Sequence, residues 1–320
     1  MRHADAEMVA ADLLRVLRGR RSRPDFSRRL GFRSNVALRW ECGLSWPAAD
    51  DFVRALSRVQ PDAATLFARF MGWRPDTTRP PSAAEVAAFL REQRGKVPIR
   101  TLVERTGYNR YQIGRWLSGR TRPRLPEFLC LVEAASRRLL DLLACLVDPA
   151  RMPTVAPRWR ALCAARAAAY EAPWSHAVLR ALEVERPGGR ESIPRLARRI
   201  GLTEELVAEG LAKLVETGQV RKARGRHRVQ RVQAVDTRAE SERGPALKAY
   251  WGRMAIQRLE RGTAAGQFGY SLFAVSHADM QRLKQLQLDY VRAMQSIIAE
   301  STEPECVGLY CSQLLDLRAI

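Results

Sequence analysis

Two short strings hold the side chains best suited to recognition chemistry. The first runs from Asn109 to Pro123 and contains Arg110, Tyr111, Gln112 and Arg115, then Trp116, Gly119 and Pro123. A guanidinium can fork onto the O6 and N7 of guanine, and a Gln amide can pair with adenine. A Tyr can contact a thymine methyl or a phosphate. The second string carries Ser34, Asn35, Val36 and Arg39, then Trp40, Gly43 and Pro47. Asn35 and Arg39 are its candidates for reading base edges. Either set works only if a short helix presents it outward, with the Trp turned inward to fix the helix pitch.

Bond-breaking chemistry finds little support. The four histidines, His3, His176, His227 and His277, are far apart in sequence. Ser271, Ser276 and His277 are neighbours, but no acid partner or nucleophile elbow accompanies them. Gly188-Gly189 reads as a turn, not a phosphate cradle, and no P-loop occurs. The six cysteines show no Cys-x-x-Cys pair and no His/Cys ligand spacing, so no metal site is expected. Most are expected to be small buried hydrophobes in a reducing compartment. No catalytic residue, metal or cofactor is assigned, and the chain is expected not to be an enzyme.

The two strings belong to a repeat. Shifting the first 75 residues forward by 76 places Gly19 on Gly95, Gly31 on Gly107, Phe32 on Tyr108, Arg39-Trp40 on Arg115-Trp116, Pro47 on Pro123 and Phe52 on Phe128. A period of this length marks a folded unit. Residues 1–75 and 82–148 are each expected to form five short helices. In the first copy, Met8, Val9, Leu13, Leu14 and Leu17 have helical spacing. In the second, Ser82 and Glu85 fit a capping box. A helical linker is expected over 149–173.

The remainder has a different rhythm. Residues 174–235 read as three helices, with Pro187-Gly188-Gly189 as a turn, Ser192-Ile193-Pro194 as a helix start and Thr203 as a cap. A basic hairpin follows, punctuated by Val220, Val229, Val232 and Val235. Over 236–320 the pattern gives a helix at 244–262 and a strand at Tyr270–Val275. A helix then carries Met280, Leu283, Gln287, Tyr290, Met294 and Ile297 at near-heptad spacing. A closing strand is expected at Val307–Leu317. The expected fold is mainly α: two tandem five-helix helix-turn-helix bundles, a winged helix, and a small α+β C-terminal domain.

Two resemblances bear on these units. Trp116-Leu117-Ser118-Gly119-Arg120-Thr121-Arg122-Pro123 resembles the close of the recognition helix in the Cro/C1-type (XRE-like) helix-turn-helix family. Trp40-Glu41-Cys42-Gly43-Leu44-Ser45-Trp46-Pro47 resembles it too. That resemblance covers about the first 145 residues and implies binding to duplex DNA. From Trp174 onward, Trp174-Ser-His-Ala-Val-Leu-Arg-Ala-Leu, Ile200-Gly201-Leu202 and Leu214-Val215-Glu216-Thr217-Gly218-Gln219-Val220 resemble paralogous bacterial transcriptional regulators with a carboxy-terminal domain of unknown function. The duplicated front departs from that group, which would be expected to carry one such unit.

Charge points the same way. The 320 residues carry a formal +20, and lysine contributes only five of the 54 basic residues. A GC-rich genome would raise arginine at lysine's expense, but it would not create the excess charge, which suits a polyanionic partner. Arg100, Arg120, Arg122 and Arg124 are the candidate phosphate ligands of the second copy. Arg221, Arg224, Arg226 and Arg228 are those of the hairpin. Glu204, Glu205, Glu209 and Glu216 make the preceding helix acidic, so the hairpin is expected to touch DNA while that helix faces protein. The first copy, with Leu44, Ser45 and Trp46 where the second has arginines, is expected to assist. The chain is therefore expected to be a cytoplasmic, nucleoid-associated transcriptional regulator. A homodimer is expected through 236–320, or a protein partner there. The alternative is a protein-interaction scaffold or antitoxin-like regulator for which nucleic acid is secondary. RNA binding is a weaker reading, for want of an aromatic stacking platform. No membrane-spanning run is seen.

Overall fold

The computed structural model describes residues 3–71, 79–184, 192–223, 226–230, 243–262, 266–301 and 303–317. The chain is mainly helical, with sixteen α-helices and one two-stranded antiparallel sheet among those residues. It divides into two compact units, Met1–Arg160 and Ala161–Ile320. The expected linker at 149–173 holds that division. The Pro-rich break at Pro75 and the turn at Pro187-Gly188-Gly189 lie outside the described residues.

The first unit contains both copies of the repeat. Copy one comprises α1 (His3–Arg18), α2 (Arg23–Arg29), α3 (Val36–Glu41), α4 (Ala49–Leu56) and, after a 3-10 turn at Pro61–Thr65, α5 (Leu66–Met71). Copy two comprises α6 (Ala83–Arg94), α7 (Ile99–Thr106), α8 (Arg110–Leu117), α9 (Leu125–Ser136) and α10 (Leu139–Ala144). The capping box at Ser82 and Glu85 is formed in full.

Equivalent residues do equivalent work. Gly31 (φ 90°) and Gly107 (φ 80°) turn the chain between the second and third helices of their copies, in a region that L-residues avoid. Phe32 meets Trp40 edge-to-face at 5.4 Å, and Tyr108 meets Trp116 in the same way at 5.0 Å. Arg15 donates to the Glu41 carbonyl at 2.9 Å, and its counterpart Arg91 donates to the Leu117 carbonyl at 2.6 Å. The 76-residue interval is therefore a repeat in three dimensions as well as in text.

The copies are not beads on a string. Helix α1 packs on α9 of the other copy, and α4 packs on α6 and α9. Phe67 of α5 stacks on Phe89 of α6 at 4.1 Å and touches Phe128 of α9, so a shared aromatic core joins the two. Each such ring pair adds about 0.5–1.5 kcal/mol beyond its buried area. Between the copies the Ala49 N–H donates to the Pro123 carbonyl, and the Leu125 N–H donates to the Pro47 carbonyl, both at 2.9 Å. Together they make an antiparallel bridge between Ala48 and Arg124.

Helix α11 (Ala156–Glu171) crosses from one unit into the next. The second unit then has α12 (Trp174–Glu183), α13 (Ile193–Ile200), α14 (Glu204–Glu216), and the ribbon of β1 (Val220–Ala223) and β2 (Arg226–Val229). Helix α13 starts where expected, with Ser192 as its cap, and Thr203 caps α14 as expected. Val178, Leu179, Leu196, Val207, Leu211 and Leu214 are central to its core. Gly210 lies mid-helix because α14 runs close to α12. A Cβ there would sit 3.0 Å from a Val178 methyl and 3.4 Å from the Ser175 Cα. Val232 and Val235 lie outside the described residues.

Helices α15 (Arg243–Glu260) and α16 (His277–Glu300) complete the unit. The α+β expectation for 236–320 is corrected here. Neither Tyr270–Val275 nor Val307–Leu317 is a strand; the only sheet among the described residues is β1–β2. Alternation of apolar residues encodes an extended backbone, but a strand also needs a neighbour to pair with. The two segments do not pair with each other: 303–317 lies along α16 instead, with Tyr310 against Tyr290 and Ser312 accepting from the Gln287 amide at 2.8 Å. The cysteine expectation is also corrected. Cys130 is buried and Cys145 half-buried, whereas Cys42, Cys163, Cys306 and Cys311 are exposed. Of the exposed four, Cys163 lies on α11, Cys42 ends α3, and Cys306 and Cys311 lie in the extended segment 303–317, positions whose exposure cysteine spacing does not encode.

Candidate nucleic-acid interface

Helix α8 is short, capped and tightly seated. The Asn109 side chain accepts from the Gln112 N–H at 2.8 Å, closing the helix N-terminus. Ile113, Trp116 and Leu117 face inward and are buried. Packing thus fixes the helix rotation and leaves the opposite face outward. There Arg110 and Arg115 are exposed, Gln112 is half-buried, and Tyr111 is 84% exposed. A bare tyrosine of that exposure has no packing role. An open cleft of about 460 Å³ runs beside it, lined by Asn109, Tyr111, Gln112, Arg115, Arg122 and Arg124 among others. Neither Arg110 nor Arg115 has a side-chain partner among the described residues.

The candidate phosphate ligands divide three ways. Arg120 is exposed and unpartnered among the described residues. Arg100 pairs with Glu104 at 2.9 Å, but both are widely exposed, so water and salt compete with the pair easily. Arg124 donates to the Trp46 carbonyl at 3.0 Å and stays exposed. Arg122 is committed elsewhere: it bonds Asp50 of α4 at 2.8 Å and also Asp51. The Asp50 carboxylate is nearly buried. The fold thus brings two acids of the first copy, Asp50 and Asp51, against an arginine of the second. Sequence position hid this, since Arg122 and Asp50 are 72 residues apart.

The first copy is arranged otherwise. Asn35 is not an outward tip but the N-cap of α3, accepting from the Leu38 N–H at 3.2 Å. Helix α3 therefore begins two residues, about half a turn, later than α8 relative to the repeat. An Asn just before a short apolar helix was the signal for this role. Arg39 remains exposed, without a side-chain partner among the described residues. The basic cluster at Arg18 and Arg23 is consumed: both guanidiniums bond the buried Glu41 carboxylate, at 2.6 and 2.9 Å.

On the ribbon, Arg221, Arg226 and Arg228 are exposed, and Arg224 lies outside the described residues. Arg221 stands directly opposite Arg228, and Lys222 opposite His227. The facing Arg221 and Arg228 guanidiniums repel each other, which destabilises a ribbon that meets only water. The acidic residues of α14, Glu204, Glu205, Glu209 and Glu216, are all exposed. Lys213 beside them is held by Glu171 at 2.8 Å and Glu216 at 3.3 Å.

The remaining titratable groups do not assemble. His176 is largely buried, and burial, then the nearby Arg180, lowers its pKa to about 4. No group of His, Cys, Asp or Glu among the described residues could hold a metal ion. Among the same residues, no helix is long and apolar enough to cross a membrane. The C-terminal segment instead exposes large apolar side chains, including Tyr270, Leu272, Leu286, Tyr290, Ile297 and Leu315.

Comparison with known proteins places only the second half. No curated protein and no solved structure matches the chain. Residues 157–313 match a family model described as a domain of unknown function, DUF4423. That bears out the expectation of a carboxy-terminal domain of unknown function and leaves the repeated front outside the match.

Proposed function

We propose that the protein is a sequence-specific, duplex-DNA-binding transcriptional regulator. In this reading the two copies are Cro/C1-like helix-turn-helix units, and α12–α14 with the ribbon form a winged helix. The observation that carries it is the outer face of α8. A capped, rigidly packed short helix offers Arg110, Tyr111, Gln112 and Arg115 to solvent, and no carboxylate among the described residues pairs with its guanidiniums. Phosphate contacts supply affinity and base contacts select the site. The opposed cations of the ribbon support a second contact with backbone, since a polyanion would relieve their repulsion.

The test is the salt dependence of duplex binding. With about four phosphate contacts, from Arg100, Arg120 and Arg124 and one from the ribbon, log affinity should fall with log salt at a slope near −3.6. A slope near zero would refute the mechanism.

The exposed apolar surface of 266–317 favours a second role alongside the first: association of two chains through α16. It equally supports the alternative of a protein-interaction scaffold. Light scattering on the full chain, with Tyr290→Asp and Ile297→Asp as variants, separates these. An unchanged mass for the variants excludes self-association through this helix.

A further inference from the structure

We infer that a single chain reads an imperfect inverted repeat, with α8 on one half-site and α3 on the other. This rests on the DNA-binding reading above and deepens it. Two copies in tandem along a sequence would ordinarily suggest two direct repeats in the DNA. The contacts between the copies say otherwise.

The bridge is reciprocal. Ala49 donates to Pro123, and Leu125, the repeat counterpart of Ala49, donates to Pro47, the counterpart of Pro123. Residue i of copy one thus meets residue j of copy two, and j of copy one meets i of copy two. That is the signature of a two-fold relation, not a translation. The helices repeat the exchange. Helix α1 packs on α9, and their counterparts α6 and α4 pack on each other. Helices α4 and α9, themselves counterparts, meet directly. The front unit is in effect a dimer tied into one chain.

A two-fold axis carries α8 onto α3 and reverses the direction in which each approaches a duplex. Half-sites read in that way are inverted. They are also unequal, because the readers differ. Copy two offers Arg110, Tyr111 and Gln112, and copy one has Ser34, Asn35 and Val36 at those offsets, with Asn35 spent on its cap. One equivalence survives: Arg39 and Arg115 occupy the same position, and both are exposed. The expected site is a strong half facing copy two and a weaker, inverted half facing copy one.

The experiment is selection of bound sequences from random duplexes, with the full chain and with Arg115→Ala and Arg39→Ala. The unmodified chain should select an imperfect inverted repeat. Arg115→Ala should lower base preference about tenfold or more at one position of the strong half only. Arg39→Ala should do so in the other half only. Because both side chains are exposed and unpartnered among the described residues, neither change should disturb folding. If two chains instead place their α8 helices on the two halves, Arg115→Ala relaxes both alike and Arg39→Ala neither. That result overturns the inference while leaving DNA binding intact, as does a selected direct repeat. Failure to select any duplex overturns the DNA-binding reading and this inference with it.

Discussion

Copies one and two share a skeleton and spend their arginines differently. In copy one, Arg18 and Arg23 turn inward onto the buried Glu41. In copy two the place of Glu41 is taken by Leu117, and Arg94, the counterpart of Arg18, keeps a buried Nε without a hydrogen-bond partner among the described residues. The α8 arginines of copy two, Arg110 and Arg115, face solvent with no acid paired to them among the described residues, whereas α3 of copy one has only Arg39. A duplicated unit can therefore diverge through a handful of side chains: one copy ties its arginines into internal ion pairs, the other leaves them at the surface. Arg122 adds to the contrast, because copy two gives up one cation to anchor itself on the acids of copy one.

The largest effect should come from breaking the internal ion cluster. Replacing Glu41 by Ala strands two guanidiniums, one of them largely buried, and should cost about 3 kcal/mol of stability. Chemical denaturation of the full chain measures it. The comparison would fail if Glu41→Ala and a change at Leu117 proved equally costly through lost packing alone, a point settled by Glu41→Met. That variant keeps the volume and loses the charge, and it should be nearly as damaging as Ala.

Much of this was legible in the residues. The glycines and the Arg-Trp strings fixed the repeat, and Ser82, Ser192 and Thr203 marked helix starts correctly, because caps and turns are local physics. Local physics also explains what failed. Arg122 and Asp50 meet only through the fold, so the partner that removes Arg122 from a phosphate role could not be read from a stretch of neighbouring arginines. Asn35 falls at a cap and not at an outward tip because α3 starts two residues later in copy one than the strict 76-residue offset implies. The expected C-terminal strands failed because alternation specifies an extended chain and says nothing of its pairing.

Arg122 and Arg120 offer the next comparison, of intermediate size. Arg122→Ala leaves the Asp50 carboxylate nearly buried, with Arg54 as its remaining cation at 3.7 Å. It should cost about 1–2 kcal/mol of stability and leave the salt slope of DNA binding unchanged. Arg120→Ala should do the reverse, with no loss of stability and a slope reduced by about 0.9. If Arg122→Ala lowered the slope instead, the inter-copy anchor would have to open when DNA binds.

The smallest contrast lies in acid. Copy two begins with the capping box of Ser82 and Glu85, and copy one has Ala6 and Val9 at those offsets. Hydrogen bonds from Arg79 and then from Ser82 hold the Glu85 carboxyl down at about 2, against 4.5 for a free glutamate. A depressed carboxyl pKa contributes stability that is complete above about 4.5 and disappears as pH falls towards 2. Because Glu85 is substantially exposed, solvent screens the contribution, and it should amount to less than about 1 kcal/mol. Glu85→Gln should remove this part of the acid sensitivity and alter stability at neutral pH only slightly, since an amide still accepts from the Ser82 N–H. Amide exchange at pH 3 would report it residue by residue: in the unmodified chain, protection should fall at the start of α6 before it falls at the start of α1. Simultaneous loss would mean that the shared core, through α1 on α9 and Phe67 on Phe89, couples the two copies more tightly than their caps distinguish them.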